Sequence, residues 1–167
     1  RLVDMRMSFP DLILALTIVA VFGNSIPNVI LAIAATILPR GVRIIRASTI
    51  AIRETDYVTA AKEIGASSPR IIQRHVMPNT VAPFLIIMSS MFGTAILTEA
   101  GLSFLGLGIS EPTPSWGRML TGQAAQYLST SLWILIFPGV AISITVMGFA
   151  FAGDALRDIL DPKLRGR

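Results

Sequence analysis

Leu12 to Pro39 reads LILALTIVAVFGNSIPNVILAIAATILP, 28 residues without a single charge. A helix crosses a bilayer in about 20 residues, so this run is long for one span and short for two. Gly23-Asn24-Ser25-Ile26-Pro27 interrupts it, a composition that disfavours continuous helix. Charge decides between one span and a hairpin. If the interruption is a turn, Arg1 and Arg6 fall on the same side as Arg40, Arg43, Arg46, Arg53, Lys62, Arg70 and Arg74. Two later apolar runs, Thr80 to Thr98 and Leu132 to Gly153, then return Arg157, Lys163, Arg165 and Arg167 to that side. Of the 14 basic residues only Arg118 is left outside, which is the distribution that the positive-inside tendency asks for. A single span would split the basic residues between the two faces.

Composition agrees with this reading. With 53% hydrophobic and 14% charged residues, the chain is too apolar for one water-soluble core. The sequence therefore predicts an all-α, polytopic transmembrane helical bundle with spans at about 3–22, 27–46, 80–105 and 132–153. Between them it places a cytoplasmic loop at 47–78 and an extracellular segment at about 106–131. The apolar runs are too long, and alternate too little, for barrel strands. The net charge of +4 sits beside apolar spans, where it orients the chain in lipid and does not point to nucleic acid. Zero Cys excludes disulfides, thiolate metal sites and cysteine nucleophiles. The chain opens on Arg1 with no signal-peptide pattern, which reads as an internal start. Pro83, Gly93 and Pro138-Gly139 interrupt the later spans, marking close packing, kinks or hinges.

The cytoplasmic loop is too long and too well punctuated to be a plain connector. Thr55 or Asp56 can cap a short helix, and Gly65 suits the left-handed position that ends it. Ser68-Pro69 reads as the cap and first residue of a second helix that stops at Pro78. In the first helix Tyr57, Ala60, Ala61 and Ile64 recur at i, i+3, i+4 and i+7, giving one apolar face that two alanines keep nearly flat. Thr59, Lys62 and Glu63 point elsewhere. Such a helix can enter a groove on a partner, or it can lie on the membrane interface.

A resemblance bears on that choice. Tyr57-Val58-Thr59-Ala60-Ala61-Lys62-Glu63-Ile64-Gly65, followed after nine residues by His75-Val76-Met77-Pro78, resembles the EAA loop of ABC-importer permeases. Ala60, Ala61, Gly65 and Pro78 match at the family's spacing. Thr59 stands where the family pattern has Glu, His75 where it has Ile, and Met77 where it has Leu. Glu99-Ala100-Gly101-Leu102-Ser103-Phe104-Leu105-Gly106-Leu107-Gly108 and Pro112-Thr113-Pro114-Ser115-Trp116-Gly117 resemble the second membrane subunit of the dipeptide, oligopeptide and nickel permeases. The ending Gly153-Asp154-Ala155-Leu156-Arg157-Asp158 to Leu160-Asp161-Pro162 resembles the same subunit. Its full-length relatives have six spans, of which this chain resembles the last four.

The resemblance implies a permease of an ATP-driven importer of peptides or nickel in a prokaryotic plasma membrane. Its implied partners are a sister permease, two cytoplasmic ATPases and an extracellular solute-binding protein, within membrane lipid. ATP and magnesium would be bound by the ATPases, and this chain would carry no catalytic residue, cofactor or metal. Tyr57, Thr59, Ala60, Ala61, Ile64, Gly65 and Pro78 would form the ATPase-coupling site. The residues agree on one point: no Gly-x-x-x-x-Gly-Lys phosphate loop occurs anywhere in the chain. A passive channel or a structural membrane subunit is the alternative.

Glu99 falls near the outer interface, counting from Thr80, and reads either as a pathway or binding-protein contact or as a structural carboxylate. Trp116, Tyr127 and Trp133 suit an interfacial aromatic belt, with Trp116 also placed for extracellular contact. His75, the sole histidine, lacks acidic or Cys neighbours for a metal or catalytic role. No pair of titratable groups shares one helix face inside the spans, which argues against an intramembrane enzyme.

Overall fold

A computed structural model of the chain describes residues 9–121 and 131–160. Arg1, Arg6, Tyr127, Lys163, Arg165 and Arg167, on which parts of the sequence reading rest, lie outside the described residues.

The interruption at Gly23 is a hairpin. Helix α1 (Asp11–Phe22) ends at Gly23, whose φ of +88° is open to glycine at little cost, and its N–H donates to the Val19 carbonyl at 2.8 Å. Asn28 Nδ2 donates to the Phe22 carbonyl, and Pro27 occupies the first turn of α2 (Ile26–Arg53), where its missing N–H costs nothing. Ala15 and Val19 pack against Val29 and Ala32, and the Asp11 carboxylate meets the Arg40 guanidinium at 3.4 Å. Early residues of α1 thus oppose late residues of α2, as an antiparallel pair requires.

Helix α3 (Asp56–Glu63) follows a two-residue break. Helix α4 (Ser68–Phe104) is 37 residues long, and a short α5 (Trp116–Met119) lies in the segment beyond it. Helix α6 (Trp133–Leu160) closes the described chain. Three of these helices, α2, α4 and α6, are long and apolar enough to cross a membrane. The described part of α1 is apolar but has 12 residues, about 18 Å at the usual helical rise.

The helix ends depart from the expected boundaries in three places. Helix α2 runs to Arg53 and not to 46, because Ala47 to Ile52 contain no breaker, so the connecting loop is shorter than the expected 47–78. The expected second loop helix does not stop at Pro78 but continues into α4. Helix α4 is therefore far longer than the span expected at 80–105. Helix α6 passes Gly153 and ends at Leu160, beyond the expected 153.

Pro78 is tolerated because the helix widens just before it. Ile72 to Val76 form a π turn, and the Met77 N–H bonds the carbonyl five residues back, at Ile72. A proline in a regular α-helix clashes with the carbonyl four residues earlier, and the wider turn shifts that carbonyl aside. Asn79 Nδ2 then donates to the His75 carbonyl at 2.6 Å.

Helix α4 is the hub, touching α1, α2, α5 and α6. Its contacts are made through small residues. A Cβ at Gly93 would sit 3.4 Å from Val146, one at Gly153 would sit 3.0 Å from Ser89 Cβ, and one at Gly41 would run into Met91. Phe92 stacks on Phe149 with ring centroids 5.3 Å apart. This close backbone approach is how helices associate where lipid removes the hydrophobic drive. Large apolar side chains such as Phe22, Ile30, Phe137, Ile144 and Phe151 face outward, the inverse of a soluble core.

Candidate coupling and turn-end sites

The loop end of the bundle is built around α3. Thr55 occupies the N-cap position with extended backbone, but its hydroxyl donates to the Ile52 carbonyl at 2.6 Å and does not cap α3. At the other end Gly65 has φ +83°, its N–H bonds the Lys62 carbonyl, and the Ala66 N–H bonds the Ala61 carbonyl. These are the two bonds of a Schellman motif, which stops the helix with its last carbonyls satisfied.

The apolar arc of α3 is divided between two neighbouring faces. Val58 and Ala61 are buried on Ile71 and Val76 of α4, with Ile52 and Ala66 at the margin. Tyr57, Ala60 and Ile64 remain exposed, Ile64 at 86%. The expected four-residue docking face is corrected accordingly: Ala61 belongs to the inward face. The reason is local, since the first turns of α4 supply an apolar partner for one side of an eight-residue helix and leave the other uncovered. Val58, which the sequence reading did not single out, is the anchor, and its i, i+3 pairing with Ala61 was the available signal.

Thr59 is exposed, with its hydroxyl turned back to the Thr55 carbonyl at 3.3 Å. The Tyr57 ring lies 6.0 Å from that of His75 in the π turn. Pro78 does not join the α3 contacts. It borders a groove of about 650 Å³ between α2, α4 and the end of α6, with Ile44, Pro83, Ile86 and Arg157.

At the opposite end the chain folds back over α4. Gly106 has φ +81° and ends α4 with a second Schellman motif, its own N–H on Ser103 and the Leu107 N–H on Leu102. Gly108 and Gly117 then press against the helix. A Cβ at Gly108 would stand 2.4 Å from Ser103 Cα, and one at Gly117 would stand 2.4 Å from the Ala100 carbonyl oxygen. Glu99 Oε1 accepts hydrogen bonds from Ser103 Oγ at 2.6 Å and Ser115 Oγ at 2.8 Å, tying the returning segment to the helix. Arg118 pairs with Glu111 and donates to the carbonyls of Ile109 and Thr113, and the Ser110 N–H bonds the Asn24 carbonyl of the hairpin turn.

Of the two readings of Glu99, the structural one describes its contacts. The carboxylate also borders a cavity of about 390 Å³ shared with Ile109, Pro114, Ser115, Trp116 and Met119. Glu99 and Trp116 are thus brought together, whereas both stand at the far end of α4 from Tyr57 to Gly65.

A polytopic helical membrane component with a short docked helix at one end and a glycine-clamped segment at the other is what the fold defines. The family model described as "Binding-protein-dependent transport system inner membrane component" matches residues 1–166, and the chain belongs to that family. The chain is 46% identical over 165 residues to a peptide transport system permease protein of Brucella suis biovar 1, covering 99% of this chain and 55% of the relative. It is 42% identical over 165 residues to the dipeptide transport system permease protein of Alkalihalophilus pseudofirmus, covering 99% and 54%. It is 40% identical over 166 residues to the glutathione transport system permease protein of Escherichia coli O1:K1, again covering 99% and 54%. The chain spans about half the length of the curated relatives it matches.

Proposed function

We propose that the chain is part of a permease subunit of an ATP-driven, binding-protein-dependent importer of di- or oligopeptides, with α3 coupling ATPase closure to the helix bundle. The observation that carries the reading is the two-sided build of α3. One side is anchored by Val58 and Ala61 to the base of α4, and the other presents Tyr57, Ala60 and Ile64 to a partner. A partner that moves α3 moves the base of α4, and α4 touches α1, α2 and α6, the other apolar helices among the described residues.

In this reading the α3 end and the C-terminus are cytoplasmic, the Gly106 to Met119 segment faces the binding protein, and the protein sits in a prokaryotic inner membrane. The partners are a sister permease, two ATPases that hold ATP and magnesium, and a solute-binding protein. The relatives named for peptide, dipeptide and glutathione transport favour peptides over nickel as the solute. ATP supplies the free-energy difference between outward-open and inward-open bundles, and the interruptions at Pro83 and Pro138-Gly139 are places where helices can bend. Thr59 leaves this docking face without the carboxylate of the family pattern, so apolar shape carries the contact.

The test is Ala60→Trp in the full-length permease assembled with its partners. Dipeptide uptake and copurification of the ATPase should both be lost while the amount of permease in the membrane holds. Undiminished uptake in that variant would sink the coupling assignment, and uptake running without ATP would favour a passive channel.

A further inference from the structure

We propose that Asp11, Arg40 and a ladder of hydroxyls on α4 form a hydrated cleft in the loop-side half of the span that binds the charged ends of a zwitterionic peptide. This proposal rests on the transport reading and names the place where the solute is held. Asp11 lies eleven residues from the turn end of α1, about 16 Å along the helix, and Arg40 lies fourteen from the start of α2, about 21 Å. Measured from the turn against a hydrocarbon core of about 30 Å, both fall in the loop-side half of the span, Asp11 near its middle and Arg40 about 9 Å from its loop-side edge. Ionised groups at such depth are costly when turned to lipid, and they are found facing protein or water.

These two face each other at 3.4 Å, with side chains 43% and 60% exposed, and both line a cleft of about 110 Å³ between α1, α2 and α4. The far wall of the cleft includes Ser90, Thr94 and Thr98, which recur at i, i+4 and i+8 and so form one stripe along α4. Each hydroxyl donates to its own helix, Ser90 to Ile87, Thr94 to Ser90 and Thr98 to Thr94, at 2.8–3.2 Å. Their donors are engaged, and their oxygen lone pairs remain as acceptors for the N–H groups of a passing backbone. Thr36 closes the α2 side.

A free dipeptide carries an ammonium, a carboxylate and amide N–H groups. The cleft offers a carboxylate, a guanidinium and hydroxyl oxygens in the same space. The Asp11–Arg40 pair keeps the two charges compensated while the cleft is empty, and a solute whose termini exchange partners with them opens it. The apolar faces of α6 offer nothing comparable.

These 167 residues contain no cysteine, so once any thiols elsewhere in the assembly are replaced, single cysteines introduced here report directly. The experiment uses membrane vesicles holding the full-length permease with its partners, and a membrane-impermeant methanethiosulfonate. Thr94→Cys and Thr98→Cys should be labelled and protected by a free dipeptide, but not by its N-acetylated, C-amidated form. Ile144→Cys, on the side of α6 away from Val146, should stay unlabelled. Arg40→Gln, alone and combined with Asp11→Asn, should raise KM for the free dipeptide about tenfold relative to that for the C-amidated one. Thiols at 94 and 98 as inert as that at 144, or an unchanged KM ratio in both variants, would overturn the cleft while wild-type uptake persists. Absence of ATP-driven uptake by the wild type would instead remove the transport reading, and the bound solute with it.

Discussion

The two ends of α4 are flanked by similar chemistry and held in opposite ways. Before its first residue Gly65, at φ +83°, closes the Schellman motif that stops α3, and at its far end Gly106, at φ +81°, closes the one that stops α4 itself, with the short α5 beyond. At the turn end the chain is clamped: Gly108 and Gly117 touch α4 backbone, and Glu99 ties Ser103 to Ser115. At the loop end α3 rests on α4 through four small or medium apolar side chains, with no glycine contact beneath it. The difference separates a part fixed to the bundle from a part that is held on one side and open on the other.

The clamp should fail hardest. Gly108→Val places a branched side chain where a single Cβ already lies 2.4 Å from Ser103 Cα, and backbone cannot move aside as a flexible side chain can. Overpacking costs about 1–3 kcal/mol and more against backbone, so this variant should lose most of its folded population. The measurement is detergent-solubilised thermal unfolding, and a melting temperature equal to wild type would show that the clamp is loose.

Ala61→Leu should come next. It adds bulk between α3 and the Ile71–Val76 surface, at a cost of about 1–3 kcal/mol confined to one small helix. The bundle should keep its membrane level and melting temperature, while ATP-dependent uptake falls at least about tenfold because α3 no longer sits on α4. Equal losses of uptake and of melting temperature would mean that the two ends are equally fixed, and the contrast would be gone.

Much of this contrast was legible in the sequence, and the missing parts have physical causes. Gly23-Asn24-Ser25-Ile26-Pro27 and the distribution of Arg and Lys predicted the hairpin, because turn chemistry and charge are local signals. Gly65 was readable for the same reason. Pro78 misled, since a proline reads as a stop wherever the helix cannot widen, and the π turn that lets it pass has no sequence mark of its own. Ala61 was placed on the wrong face because periodicity reveals an apolar arc without telling which half of it a neighbour will cover. Gly108 and Gly117 stood inside a quoted motif, but their contact with Ala100 and Ser103 is tertiary. The Asp11–Arg40 pair was missed because the two residues flank an uncharged run and meet only when that run folds into a hairpin.

Glu99→Ala tests the polar half of the clamp. It removes the shared acceptor of two hydroxyls, and hydrogen bonds to a charged group contribute about 1.5–3 kcal/mol together with the cost of stranding the donors. Glu99→Gln keeps an acceptor oxygen and should cost less, which thermal unfolding of the pair of variants would resolve. A glutamine variant as unstable as the alanine one would mean that the negative charge, and not the acceptor, holds Ser115.

The smallest effect should come from the glycines that the two ends share. Neither Gly65 nor Gly106 has any atom within 4 Å of where a Cβ would stand, so alanine meets no steric partner at either place. What remains is the cost of holding an L-residue in left-handed backbone, about 1–2 kcal/mol. Gly65→Ala and Gly106→Ala should therefore destabilise equally if stability is read locally, by hydrogen exchange of the Ala66 and Leu107 amides that close the two motifs. Their functional consequences should differ. Strain at Gly106 is confined by the clamp around it, whereas strain at Gly65 is relieved by tilting α3, which shifts Tyr57, Ala60 and Ile64 relative to whatever they dock on. Gly65→Ala should thus lower ATP-dependent uptake severalfold and Gly106→Ala should leave it near wild type, with equal uptake in the two showing that α3 is no freer than the segment at the other end.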